Sequence, residues 1–81
     1  MSDKSTITPA QCRAARALLG WSRAKLAELA KVAQATLADF EAGKRTPYAR
    51  TLAAVQAALE AAGVEFTNGD APGVRLKGRQ E

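Results

Sequence analysis

The chain has no histidine and a single cysteine, Cys12, among its 81 residues. Nucleophilic catalysis of the Ser-His or Cys-His kind needs a base beside the nucleophile, so that route is closed. Cys12 alone falls short of the Cys/His sets of the usual zinc sites and has no second thiol for an intrachain disulfide. Neither the P-loop nor the dinucleotide-binding glycine pattern occurs. The stretch Asn68-Gly69-Asp70-Ala71-Pro72-Gly73 could suggest a calcium or phosphate loop. It lacks the acidic ligand series and a following helix start, and reads as a turn. No catalytic residue, cofactor or metal is expected, and the chain reads as a non-enzyme.

What remains for chemistry is charge. Through Arg50 there are nine Lys/Arg against four Asp/Glu; from Thr51 onward there are three against four. The net +4 of the chain therefore sits entirely on its first part, the electrostatic footprint of a phosphate-facing surface. The length suits one small domain that buries roughly 60% of its unfolded surface. Apolar residues make up 47%, many of them alanine, which favours close helix packing over disorder. No stretch approaches the ~20 apolar residues of a membrane span, and the N-terminus lacks the apolar core of a signal peptide. A lone cysteine suits a reducing compartment. The expected location is the cytoplasm, in association with the nucleoid, with no membrane partner.

The elements that must position these charges are marked by caps and glycines. Residues 1–7 are polar and read as a flexible tail. Thr8-Pro9-Ala10-Gln11 is a helix start in which Thr8 caps, Pro9 suits the first position and Gln11 completes a capping box. This helix is expected from Pro9 to Leu19, with Ala14, Ala17 and Leu18 facing inward and Gly20 as its terminator. Ser22 caps a second helix from Arg23 to Ala30, with Leu26, Ala27, Leu29 and Ala30 as its buried stripe. Val32 plugs the turn that follows. A third helix, about 34–42, turns Leu37 and Phe40 inward and ends at Gly43. Thr46-Pro47 opens a longer helix, about 48–62, whose core face is Leu52, Val55 and Leu59 and which Gly63 closes. Segments 64–66 and 74–76 alternate apolar and charged residues, the period of a half-buried strand. They would form a small hairpin or pair with a second subunit, because an isolated two-stranded hairpin is marginal in water. Residues 78–81 are a tail.

The second and third helices, joined by a tight turn, form a helix-turn-helix, whose second helix can enter a DNA major groove. From Trp21 to Pro47 the run is WSRAKLAELAKVAQATLADFEAGKRTP. With it the chain resembles the Cro/C1-type, or XRE-like, helix-turn-helix family of bacterial and phage regulators, over roughly residues 8–59. Leu26-Ala27 falls in the first motif helix, with Ala27 at the small-residue position where the two helices touch. Leu37 lies ten residues later at the family's aliphatic position, and Glu41, Gly43, Lys44 and Arg45 close the reading helix ahead of Pro47.

The resemblance implies an all-α fold, a compact four-helix domain over residues 8–63, to which the strand-like alternation adds a short C-terminal β appendage over residues 64–77. It implies base contacts for Gln34, Ala35, Thr36 and Asp39. Glutamine can pair with adenine, alanine can touch a thymine methyl, and aspartate can accept from cytosine. Lys44 and Arg45 would hold phosphates, which fixes register without reading sequence. Arg23 stands where a glutamine usually opens the first motif helix, and arginine can make the same phosphate contact. Arg16 and Glu41 stand where related proteins place an ion pair between the first helix and the reading helix. Two residues depart from the pattern. Lys31 replaces the usual glycine at a position that often needs positive φ, and Ala33 replaces the Ser or Thr that would cap the reading helix, forgoing about 1 kcal/mol.

The expected function is sequence-specific binding of double-stranded DNA by a transcriptional regulator, a repressor or autoregulator. One subunit reads too few bases for selectivity in a genome, so a homodimer on a palindromic operator is expected. Val64, Phe66, Val74 and Leu76 are the candidate dimer interface, and the fourth helix is the alternative. The competing function is a helix-turn-helix module, an antitoxin or anti-activator, whose main target is another protein.

Overall fold

The chain runs through α1 (Pro9–Leu19), α2 (Arg23–Ala30), α3 (Gln34–Glu41), α4 (Ala49–Ala61), β1 (Val64–Thr67) and β2 (Gly73–Leu76). These elements come from a computed structural model that describes residues 7–67 and 71–77. Most of the expected N-terminal tail, the turn residues Asn68, Gly69 and Asp70, and the tail 78–81 lie outside the described residues.

Local chemistry sets the helix ends. Gln11 N–H donates to Thr8 Oγ1 at 3.0 Å while Thr8 N–H donates to Gln11 Oε1 at 2.9 Å, so the capping box closes in both directions. Ser22 Oγ accepts from Lys25 N–H at 3.0 Å and caps α2. The first three helices share one C-terminal device, a left-handed residue followed by a backbone bond back across the last turn. Trp21 N–H reaches Arg16 O, Val32 N–H reaches Ala27 O, and Lys44 N–H reaches Asp39 O. The left-handed residues are Gly20, Lys31 and Gly43, of which only Lys31 carries a side chain. The third helix ends at Glu41, a residue short of expectation, and the fourth loses a residue at each end.

The core gathers Cys12 and Ala15 from α1, Leu26, Ala27 and Ala30 from α2, Leu37 and Phe40 from α3, Leu52, Val55 and Leu59 from α4, and Val64 from β1. Burying leucines as fully as Leu26, Leu37 and Leu59 contributes about 1.5–3 kcal/mol each. Three expectations need correction. Ala14, Ala17 and Leu18 are exposed, because α1 is rotated by one position and buries Gln11, Cys12 and Ala15 instead. Leu29 is 49% exposed, because α2 packs through Leu26, Ala27 and Ala30. Ile7 is buried, not part of a loose tail; it precedes the Thr8 cap and joins Cys12, four residues into the helix, in the same apolar cluster.

The strands pair within the chain as an antiparallel hairpin, with Val64 opposite Leu76 and Phe66 opposite Val74. Packing onto the helices supplies what an isolated hairpin lacks. Gln11, itself buried, donates from Nε2 to Thr67 O at 2.9 Å and to Gly73 O at 3.0 Å, one acceptor on each strand. No helix among the described residues is long and apolar enough to cross a membrane.

Candidate nucleic-acid interface

The reading helix α3 is presented by the turn before it and the loop after it. Lys31 adopts φ 61 and ψ 45, Val32 packs partly against the core, and Ala33 occupies the N-cap without any side-chain hydrogen bond. Helical spacing then divides the side chains. Leu37, Phe40 and Glu41 face the core, Gln34 and Ala35 are exposed, and Thr36, Ala38 and Asp39 are half-buried.

Thr36 lies across a depression of about 350 Å³ from Arg45, which it lines together with Thr46, Pro47, Tyr48 and Thr51. A side chain on the reading helix thus adjoins a cation of the following loop. Lys44 and Arg45 are exposed, and the bond from Lys44 N–H to Asp39 O, 2.8 Å, fixes where the loop leaves α3. Among the described residues the Asp39 carboxylate has no ion pair.

Behind this face lies a charged cluster centred on Glu41, whose side chain is 1% exposed. Arg16 Nε donates to Glu41 Oε2 and Arg16 Nη2 donates to Oε1, both at 2.8 Å, in a bidentate fork. Arg16 Nη1 also donates to Trp21 O at 3.1 Å. Arg23 Nε donates to Glu41 Oε1 at 3.1 Å, the Cys12 thiol donates to Oε2 at 3.1 Å, and Arg13 Nη1 donates to the Glu41 carbonyl. Burial by itself would raise the Glu41 pKa. The hydrogen bonds from Arg16, Cys12 and Arg23, with the Arg16 charge, outweigh it and hold the carboxyl below its ordinary value. Burial, then the bond to Glu41, pushes the Cys12 thiol far up, so it stays a protonated donor and an inert thiol.

Arg16 and Glu41, paired in the sequence reading, are therefore in contact, and Arg23 joins them. Cys12 and Arg13 were missed. Their signal was present: Cys12 and Arg16 are four apart and Arg13 and Arg16 three apart, so they share one side of a helix. Of the four candidate dimer residues, Val64 is fully buried and Phe66 and Val74 pack against the chain's own core. Only Leu76 counts among the exposed large apolar residues.

A two-helix unit with its second helix facing out, closed by a glycine and two cations, is the geometry on which family membership turns. A family model described as helix-turn-helix matches residues 13–65. The chain belongs to the Cro/C1-type helix-turn-helix family. The match begins inside α1, covers α2 and α3 and extends through α4 into β1, so it reaches well beyond the two-helix motif. Cro/C1-type proteins are DNA-binding regulators and not enzymes. A comparison with curated proteins finds no match.

Proposed function

We propose that this Cro/C1-type protein is a sequence-specific transcriptional regulator, a repressor or autoregulator that occupies a palindromic operator as a homodimer in the cytoplasm. The observation that carries the reading is the division of the α3 surface. Gln34 and Ala35 are exposed where base edges would lie, and Lys44 and Arg45 are exposed where the chain leaves the helix. A base-reading group flanked by point charges is what a major-groove helix requires. In this reading Gln34, Ala35, Thr36 and Asp39 meet bases, while Arg23, Lys44 and Arg45 meet phosphates.

One reading helix gives few base contacts, whereas two related by a twofold axis, about 34 Å apart, give a full operator. Because the side chains of Val64, Phe66 and Val74 are engaged in their own chain, pairing through the hairpin would use an outer strand edge and Leu76. Light scattering at tens of micromolar tests this, and a monomer that stays monomeric on DNA sinks it.

A second reading, docking to another protein, is favoured by one feature. Leu29, Trp21, Ala58, Ala61 and Ala62 line an apolar depression of about 320 Å³ between α2 and the end of α4. The deciding experiment is a fluorescence-anisotropy titration of DNA from upstream of the protein's own gene against scrambled DNA, across a salt series. Binding on the order of 10³-fold tighter to the upstream fragment is expected. Weak, equal binding that vanishes with salt would reduce the interaction to phosphate attraction and favour the protein target.

A further inference from the structure

Among the described residues the sheet has two strands, so β2 has a neighbour on one side only. Lys77 N–H donates to Gly63 O at 2.7 Å, which fixes the parity of the ladder. Glu65 opposite Arg75 and Thr67 opposite Gly73 are then the hydrogen-bonded pairs, and Val64 opposite Leu76 and Phe66 opposite Val74 are not. The backbone N–H and C=O groups of Val74 and Leu76 therefore point away from β1, to the open side of β2.

The first helix runs beside that open side. α1 packs against β2, while α4 packs against β1, and the two Gln11 bonds hold α1 and the hairpin in fixed relation. Ala10 and Ala14 of α1, with Pro72, Gly73 and Val74, line a largely apolar depression of about 300 Å³. Leu18 follows Ala14 by four residues, on the same side of the helix, and is exposed as Ala10 and Ala14 are. Ala14 and Leu18 belong to the apolar set expected to face inward, and the single chain gives them no cover. The strand edge, the depression and this side of α1 make one continuous face.

We infer that a second copy of the chain covers this face, with the two β2 edges paired antiparallel and the α1 sides brought together beneath them. The inference rests on the homodimer reading and adds α1 to its interface. In a twofold dimer the same patch meets itself. An axis through Arg75 sets Val74 of each copy opposite Leu76 of the other, so the outward backbone groups of all four residues are paired. Leu76, exposed in the single chain, gains an apolar neighbour across the strands. Arg75 faces its own copy there, and the ion pair of each with Glu65 offsets the like charges. A four-residue strand is only about 13 Å long, too little for the roughly 800 Å² that each partner gives to a stable interface. The Ala14 and Leu18 side of α1 supplies the remainder.

The test is sedimentation equilibrium of the full chain at tens of micromolar, free and on the upstream DNA duplex. Ala14→Glu places a charge on α1 at a position exposed in the single chain. Leu76→Pro removes an outward N–H and no bond to β1. Each variant, compared where circular dichroism shows it folded, is expected to weaken dimerisation by roughly tenfold or more. Ala57→Glu, at an exposed position of α4, is expected to leave the dimer unchanged. Amide exchange at Val74 and Leu76 is expected to slow as protein concentration rises, and it takes the place of Leu76→Pro should that variant not fold. Dimers that withstand Ala14→Glu, or exchange at Val74 and Leu76 that ignores concentration while dimers form, would overturn the face. Loss of the dimer in Ala57→Glu alone would overturn it in favour of α4. A wild-type chain that stays monomeric, free and on DNA, would instead overturn the homodimer reading on which the inference rests.

Discussion

Ala33 begins the reading helix with no side chain able to accept a hydrogen bond, so the first-turn N–H groups of α3 go without a side-chain cap. A serine at that position reaches the N–H two or three residues on. Ala33→Ser is therefore expected to stabilise the protein by about 1 kcal/mol, seen as a higher urea midpoint at unchanged slope. An unmoved midpoint would mean those groups already have partners. The side chains that follow separate reading from anchoring. Gln34→Ala is expected to lose about 1–3 kcal/mol at one base position and relax preference there, while Lys44→Ala weakens all sequences alike and flattens the salt slope by about one unit. Titration of each variant against an operator and its single-base substitutions distinguishes the two. Indistinguishable profiles would dismiss the division. Lys31 shows what the family pattern disclosed in advance: it stands where the family usually has glycine, a position that often needs positive φ, and it has φ 61.

The hairpin depends on a side chain from the opposite end of the chain. Gln11 caps α1 with its Oε1 and holds both strands with its Nε2, and it does so from a buried position. Gln11→Ala would leave the Thr67 and Gly73 carbonyls without that donor. It is expected to cost about 1–3 kcal/mol and to lower hydrogen-exchange protection in β1 and β2 before it does so in α4. Equal loss everywhere would make the hairpin part of a single cooperative unit with the helices. The same residue explains what the sequence disclosed and what it hid. Thr8, Pro9, Ser22, Gly20 and Gly43 act on near neighbours, so their roles as helix limits could be read directly. The inner face of α1 was not, since alanines lie on every side of the helix and the buried face includes a polar residue, Gln11, whose partners are 56 and 62 positions away. Leu29 misled for a related reason: leucine at helical spacing implies burial, but α2 already buries Leu26 on the side that meets the core. At the interface, the outward roles of Gln34, Lys44 and Arg45 came from the family resemblance, while helical spacing put Cys12, Arg13 and Arg16 on one side of α1 without showing that Glu41 and Arg23 would meet them there.

Those three helices are joined through one carboxylate, with Arg16 from α1, Arg23 from α2 and Glu41 at the end of α3. Removing a partner from a buried pair of this kind costs about 3–5 kcal/mol. That is a large part of the roughly 5–15 kcal/mol available to a small domain. Arg16→Ala is therefore expected to lower stability by about 3–5 kcal/mol, read by circular dichroism as a lower urea midpoint. Acid should act at the same place. The Glu41 carboxyl is held below its ordinary value of about 4.5, so the native state favours its charged form more than the unfolded chain does. A lowered pKa contributes stability that is complete above the ordinary value and is lost as pH falls toward the native one. Wild-type stability should change little between neutral pH and about 5, then fall steeply below about 4.5. Glu41→Gln starts from a lower stability but lacks this titration, so its profile should be flatter over the acid limb. Parallel acid limbs for the two proteins would assign the loss to the other carboxylates. A steeper wild-type limb would place acid sensitivity at the residue that also aligns the reading helix, so that DNA binding and folding would fail together as the pH drops.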